Sequence, residues 1–159
     1  MGKIHWTQLV LSIFACELAG IIGSAFTFPE ITTWYAGLTK PWFNPPNWVF
    51  GPVWTLLYAL MGIALYIVWT KKAEKKGNDM AYTAFGAQLA LNTIWSIVFF
   101  GMHQLFGALI VIGLMWITIL ATIVLFRRID SNAALLLAPY LLWVSFASAL
   151  NFAVWQLNG

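Results

Sequence analysis

Long apolar runs dominate the sequence and alternate with short segments that carry most of the charged residues. The runs lie at about Trp6–Phe28, Asn47–Thr70, Met80–Phe100, Leu105–Phe126 and Ala133–Gln156. Each is close to the roughly 20 residues that an α-helix needs to cross about 30 Å of hydrocarbon. The pattern predicts an all-α membrane protein, a bundle of five transmembrane helices that forms a single domain over residues 1–159.

The composition points to the same class of protein. Hydrophobic residues make up 62% of the chain and charged residues 8%, whereas about a quarter of the residues of a soluble domain are charged. The formal net charge is +3, but the few bases lie between apolar runs, so we expect them to orient the protein in a lipid bilayer and expect no nucleic-acid binding. Cys16 stands alone, which excludes an intrachain disulfide and a CxxC-type metal site.

The bases are distributed unequally between the two predicted sides of the membrane. Seven fall on the side of the N-terminus: Lys3, Lys71, Lys72, Lys75, Lys76, Arg127 and Arg128. Lys40 alone falls on the other side. The positive-inside rule therefore predicts a cytoplasmic N-terminus and a C-terminus on the opposite side, and it leaves the identity of the membrane open.

A stretch rich in aromatic residues and prolines, residues 34–54, joins the first two predicted helices. Pro41, Pro45 and Pro46 lack a backbone donor and restrict the residue before them, so a continuous helix through this stretch is excluded. Its aromatic side chains are too apolar for water, and each buries roughly 150–250 Å² when it packs. We expect the first loop, the connection between about residues 29 and 46, to fold back over the helices as a lid or cavity wall.

Three of the ten tryptophans, Trp54, Trp95 and Trp143, are predicted to face the interior of the bundle. They share helical faces with polar neighbours, namely Tyr58, Asn92 and Asn151. Several indoles with a few amides under an aromatic loop suit a flat, largely apolar ligand with polar edges. A tetrapyrrole has that shape, and so do drug-like benzodiazepine- and isoquinoline-type ligands.

Few residues offer other chemistry. Glu17 is the only acid inside a predicted span, and we expect a protonated carboxyl that donates to a neighbouring helix, with a ligand-contacting or proton-coupled group as the alternative. For His103, in the turn between the third and fourth helices, we expect a solvated turn histidine and no metal site, with contact to an iron porphyrin as the alternative. Motifs for hydrolysis or phosphoryl transfer do not occur in the sequence.

Small residues at helical spacing predict close helix packing. Such stripes let helix backbones approach each other in lipid. On the first helix they predict packing against the second or fifth helix. On the third helix they predict either intramolecular packing or a homodimer contact, through Thr83, Gly86, Ala87 and Ala90.

Several motifs resemble one known family. They are Trp34-Tyr35-x-x-Leu38-x-Lys40-Pro41-x-Phe43-x-Pro45-Pro46, Gly51-Pro52-Val53-Trp54-x-x-x-Tyr58, Phe99-Phe100-Gly101 and Pro139-Tyr140-Leu141-x-Trp143-x-x-Phe146-Ala147-x-x-Leu150-Asn151. In one register over nearly the whole chain, they are similar to the translocator protein family, also called tryptophan-rich sensory proteins or peripheral benzodiazepine receptors.

The resemblance implies a binding cavity under the first loop. In that family five helices surround a cavity that binds porphyrins and drug-like ligands. Carried over by motif, its wall comprises Phe26, Trp34, Trp42, Phe43, Asn47, Phe50, Trp54, Trp95, Ile110, Leu114, Trp143, Ala147 and Leu150. The C-terminal sterol motif of animal members requires a tyrosine and a base where this chain has Phe152 and Gln156, so the resemblance does not extend to sterol binding.

We therefore expect an integral membrane receptor or sensor for tetrapyrroles, with porphyrin or haem as the ligand and no required cofactor. Porphyrin translocation or efflux is one alternative. Light-dependent porphyrin degradation is another, and in that case Trp54 and Trp143 would be the redox-active residues.

Overall fold

Seven α-helices make up the computed structural model, which describes residues 4–71 and 79–159. They are α1 (Trp6–Ile31), α2 (Trp34–Gly37), α3 (Asn47–Lys71), α4 (Asp79–Ser96, extended by a π-helical segment Ile97–Gly101), α5 (Leu105–Arg127), α6 (Ser131–Leu136) and α7 (Ala138–Asn158). Five helical segments are long and apolar enough to cross a membrane: α1, α3, α4 with its π segment, α5, and α6 with α7. The predicted all-α bundle of five spans is confirmed, and the described ranges contain no strand.

The fifth span differs from the sequence prediction in how it begins. Asp130 caps α6, because its side chain accepts hydrogen bonds from the backbone N–H groups of Asn132 (2.7 Å) and Ala133 (3.0 Å). The helix therefore starts at Ser131 rather than Ala133. Pro139 lies in the first turn of α7, where a missing N–H removes no helical hydrogen bond. The last span is therefore broken into two helices just before this proline.

The first span packs between α3 and α4, and small residues permit the close approach. A Cβ atom on Gly62 of α3 would overlap the backbone of Ile13. A Cβ on Gly20 would overlap the ring of Tyr58. Toward α4, the Thr93 hydroxyl donates to the Ala19 carbonyl oxygen at 3.2 Å. The predicted packing of the first helix against the second is confirmed.

The remaining spans form the buried centre of the bundle. Met61 from α3, Ile112 and Met115 from α5 and Tyr140 from α7 are almost completely buried. At the N-terminal end of α4, the ring of Phe85 stacks on that of Phe126 from α5 at 5.6 Å. The two ends of the bundle therefore differ: this end is tightly packed, whereas the end near the first loop contains a cavity.

Candidate functional site

The first loop, residues 32–46 in the structure, is held together by non-covalent contacts around Tyr35. The Tyr35 hydroxyl donates to Asn44 Oδ1 at 2.9 Å. Lys40 Nζ lies 4.7 Å from the centre of the Tyr35 ring and donates to the carbonyl oxygens of Leu38 (3.0 Å) and Ala36 (3.3 Å). Burial raises the pKa of Tyr35 to about 12, so at neutral pH the hydroxyl stays protonated and remains a donor.

Ring contacts and hydrogen bonds attach this loop to the bundle. The Trp34 ring meets Phe99 edge-on at 5.6 Å and stacks on His103 at 4.2 Å. Near the C-terminus, Asn158 Oδ1 accepts from the Thr39 N–H at 2.9 Å while Asn158 Nδ2 donates to the Thr39 carbonyl at 2.8 Å. The loop is therefore fixed to both the π-helical end of α4 and the last turn of α7.

His103 takes part in this attachment rather than standing free in solvent. Its backbone has a φ of 56°, an uncommon conformation for a residue other than glycine. Its Nε2 lies 3.2 Å from Glu30 Oε2 at the end of α1. Among the described residues, no three His, Cys, Asp or Glu side chains form a group that could hold a metal ion.

A cavity of about 410 Å³ lies beneath the first loop, between α1, α3, α4 and α7. Its volume falls within the range of about 300–1,000 Å³ that is typical of small-molecule sites. The lining residues are Glu17, Gly20, Ile21, Ser24, Thr27, Phe28, Ile31, Tyr35, Asn47, Trp48, Phe50, Gly51, Trp54, Thr55, Tyr58, Asn92, Trp95, Ser96, Phe99, Phe100, Trp143, Ala147, Leu150, Asn151 and Val154. Most of this surface is aromatic or aliphatic.

Aromatic pairs position Trp54, Trp95 and Trp143 on the cavity wall. Trp95 stacks on Phe99 with ring centres 5.2 Å apart. Trp143 contacts Phe50 at 6.0 Å in an edge-to-face arrangement. Trp54, one turn before Tyr58 on α3, lies 5.7 Å from the Tyr58 ring. Each indole thus packs against another ring while it also lines the cavity.

Hydrogen bonds between helices hold the polar groups of the wall. The Tyr58 hydroxyl donates to Asn92 Oδ1 at 2.6 Å, and Asn92 Nδ2 donates to the Tyr140 oxygen at 2.8 Å. Trp95 Nε1 donates to Asn151 Oδ1 at 3.0 Å. By contrast, the Trp143 Nε1 is buried and has no hydrogen-bond partner among the described residues. An unsatisfied buried donor costs about 1–3 kcal/mol.

Glu17 is the only acid on the cavity lining. Its side chain is partly exposed. No hydrogen bond or ion pair joins it to any residue that the structure describes. The expectation that its carboxyl donates to a neighbouring helix is therefore wrong for this structure, and Glu17 is available to a molecule in the cavity.

Three lining residues on α1 and α3 are strongly exposed: Ile21 (60%), Phe28 (69%) and Trp48 (75%). The same two helices are in close contact at Gly20 and Gly62.

The structure brings together seven of the residues assigned to the cavity wall from the sequence. They are Asn47, Phe50, Trp54, Trp95, Trp143, Ala147 and Leu150. Six others lie off the lining. Trp34 contacts His103, Phe43 contacts Phe146 at 6.3 Å, and Trp42 is 95% exposed. Phe26 lies beside Gly101 at the π-helical end of α4.

Ile110 and Leu114, the remaining two, are about half exposed on the outer face of α5. That helix supplies none of the lining residues. Because α5 is apolar on every side, its sequence gives no signal of which face turns inward. The assignment of these two residues to the cavity wall does not agree with their position.

From α1, sequence reasoning assigned only Phe26 to the cavity wall and kept Glu17 as an alternative ligand contact, so it missed most of the contribution of this helix. Its lining residues recur at helical spacing, from Glu17 through Gly20, Ser24 and Phe28 to Ile31. From the sequence, the small residues on this face predicted only close packing against another helix. The polar members of the stripe were the available signal, since a charged or hydroxyl side chain on a membrane helix marks a face that avoids lipid.

Known proteins are similar to this chain over most of its length. A model of the TspO/MBR family matches residues 12–156. The tryptophan-rich protein TspO of Archaeoglobus fulgidus is 50% identical over 152 residues, which cover 95% of this chain and 97% of that protein. Protein CrtK of Rhodobacter capsulatus is 40% identical, with 96% and 93% covered. The human translocator protein is 40% identical, with 96% and 91% covered.

Proposed function

Because the chain belongs to the TspO/MBR family, we propose that it is a membrane receptor or sensor that binds tetrapyrroles and other flat hydrophobic ligands. The observation that carries the proposal is the cavity under the first loop. Four tryptophans line it: Trp48, Trp54, Trp95 and Trp143. Porphyrin or haem would be the ligand, and no further cofactor is required.

The names of relatives favour the receptor class over a catalytic one. One relative from Cereibacter sphaeroides, 40% identical to this chain, is called a tryptophan-rich sensory protein. In this mechanism a planar ligand enters between α1 and α3 and stacks on Trp95 and Trp143. The carboxylates of a porphyrin would point away from Glu17 and toward the first loop, since two like charges repel each other in a medium of low dielectric constant.

Ligand binding would be read through the first loop. Tyr35 lines the cavity, and its neighbour Trp34 packs on Phe99, Phe100 and His103. A ligand that displaces the Tyr35 ring would shift the contact between the loop and the π-helical end of α4. A partner protein or a second protomer could detect that shift.

Titration of the purified protein with protoporphyrin IX in the dark, in lipid nanodiscs, tests the proposal. Quenching of tryptophan emission should saturate. Trp143→Phe should weaken binding about threefold or more, because it replaces an indole of the cavity wall by a smaller ring and aromatic contacts contribute about 0.5–1.5 kcal/mol. Trp69→Phe, at the far end of α3 and off the cavity lining, is the matched control and should leave the affinity unchanged.

Unsaturable quenching, or equal affinities for wild type, Trp143→Phe and Trp69→Phe, would contradict the receptor proposal. Illumination of the complex then distinguishes binding from degradation. Trp54 and Trp143 both line the cavity, which favours light-dependent porphyrin breakdown as the second candidate function. A new absorption spectrum under light that disappears in Trp54→Phe would identify an enzyme.

We also propose that the protein forms a homodimer through α4. Thr83, Gly86 and Ala90 are exposed along one face, with Ala87 partly buried beside them. A Cβ on Gly86 would meet no atom within 4 Å, so this face remains open to a second helix.

The proposed orientation places the N-terminus in the cytoplasm. Lys71, Arg127 and Arg128 lie at one end of the described bundle, and Lys40 lies in the first loop at the other. The other bases used in the sequence argument lie outside the described residues: Lys3, Lys72, Lys75 and Lys76. The described part of the charge asymmetry agrees with the proposed orientation.

A further inference from the structure

Glu17 lies at the base of the cavity. A tetrapyrrole ligand, which carries carboxylates of its own, gives no reason for an acid at this position. The α1 face that lines the cavity runs from Ile31 at the rim down to Glu17. At 1.5 Å per residue, these two residues are about 21 Å apart along the helix axis. Glu17 is also about 16 Å from the start of α1 at Trp6. The carboxyl therefore lies near the middle of the span.

The cavity contains no positive charge to balance this acid. Within the described ranges, no Lys, Arg or His side chain lines it. Glu17 makes no ion pair or hydrogen bond there, as shown above. An isolated carboxylate at this depth is costly, so a ligand that brings its own cation to the base of the cavity gains an interaction that a neutral or anionic ligand lacks.

The Asn92 amide, at the same level, is already engaged, because it bonds to both Tyr58 and Tyr140. The carboxyl of Glu17, by contrast, is an open acceptor. Directly toward the loop, Trp54 and Trp95 supply aromatic surface, and aromatic faces attract a cation as well as an apolar body.

We propose that the cavity binds lipophilic amines, with the protonated nitrogen on Glu17 and an aromatic body along Trp54 and Trp95. Ile21, Phe28 and Trp48 of the lining are exposed on the outer surface, and such molecules would enter beside them from the bilayer, where amphiphilic amines concentrate. The inference rests on the same cavity as the proposed function but requires a cationic group, whereas a porphyrin brings carboxylates.

Two probes of the same shape test the charge requirement: 1-pyrenemethylamine and the neutral 1-pyrenemethanol. Each is titrated into nanodiscs of zwitterionic lipid that contain the full chain, and energy transfer from tryptophan to pyrene reports binding. Wild type should bind the amine about tenfold or more tightly than the alcohol, as a charged hydrogen-bonded pair provides. In Glu17→Gln the two affinities should agree within about twofold.

Asp79→Asn is the matched control, because Asp79 is an acid at the start of α4, far from the first loop, and does not line the cavity. It should retain the full preference for the amine. Glu17→Asp keeps the charge and should keep most of the preference, which separates a charge effect from a folding defect. Titration of empty nanodiscs with each probe measures its partition into lipid, and this background is subtracted from the signal.

Equal binding of amine and alcohol by wild type, or the same preference in Glu17→Gln as in wild type, would overturn the inference. Absence of saturable transfer from either probe would do the same. A parallel titration with protoporphyrin IX separates the two proposals. Saturable porphyrin binding without an amine preference would refute the amine site alone, and an amine preference without porphyrin binding would refute the tetrapyrrole receptor alone.

Discussion

At the scale of single residues, glycines determine how closely α1 and α3 approach. Gly62 faces the backbone of Ile13, and Gly20 faces the ring of Tyr58. The two contacts differ in kind, because a ring can rotate away whereas a backbone cannot. Gly62 is therefore the position at which a single methyl group would separate the helices.

Gly62→Ala should lower the thermal unfolding temperature, because the added Cβ overlaps the Ile13 backbone and overpacking costs about 1–3 kcal/mol. Scanning fluorimetry in detergent measures the shift. Gly113→Ala on α5 is the matched control, since a Cβ there meets no atom within 4 Å. It should be neutral or slightly stabilising, as alanine favours a helix over glycine by up to about 1 kcal/mol. Equal shifts in both variants would refute the packing argument.

At the scale of secondary-structure elements, the ends of helices are joined by a few polar contacts. Asn158 attaches α7 to the first loop through two hydrogen bonds to Thr39. At the opposite end, Asp130 accepts from Lys71 Nζ and caps α6. The Asp130 side chain is 8% exposed and that of Lys71 is 51% exposed, so solvent still screens the ion pair and its contribution is that of a surface pair, up to about 1 kcal/mol.

The Asp130 pair makes stability depend on pH. The hydrogen bond from Lys71 holds the pKa of Asp130 below its ordinary value of 3.8, with help from the capped backbone N–H groups. A lowered folded-state pKa stabilises the fold above pH 3.8, and that contribution is lost as the pH falls through the folded-state pKa. Asp130→Asn should therefore lower the unfolding temperature at neutral pH, and the difference from wild type should vanish in acid.

Circular dichroism melts across this pH range measure the effect. Asparagine is itself a good N-cap, so the comparison isolates the charge. In a Lys71→Gln background, the additional effect of Asp130→Asn should be smaller and depend less on pH. A constant difference between wild type and Asp130→Asn at every pH would show that the ion pair contributes nothing.

The five spans were predictable from the sequence because each has the length and hydropathy that a bilayer requires. Their inner faces were only partly predictable. Trp54, Trp95 and Trp143 share faces with polar residues and lie on the cavity wall. Ile110 and Leu114 belong to a helix without a polar face, and their exposure depends on how α5 packs, which no local pattern encodes. The stack of Trp34 on His103 likewise joins residues far apart in the chain.

At the scale of the whole molecule, the open face of α4 leads to a prediction about assembly. Gly86→Leu should convert the proposed dimer to a monomer in mild detergent, because a large side chain prevents the close approach of two helices. Light scattering on the purified protein measures the mass. Gly113→Leu, an equally exposed glycine on α5, should leave the mass unchanged. A monomeric wild type, or a dimeric Gly86→Leu, would contradict the predicted interface.

The charge asymmetry predicts which end of the molecule faces which compartment. Cys16 is completely buried, so a cysteine added at an exposed position is the reactive thiol among the described residues. In intact bacterial cells, a membrane-impermeant maleimide should label Gly37→Cys in the first loop. Asn132→Cys, at the end that carries Arg127 and Arg128, should react only after the membrane is permeabilised. The reverse pattern would mean that the bases face outward and that the positive-inside rule fails for this chain.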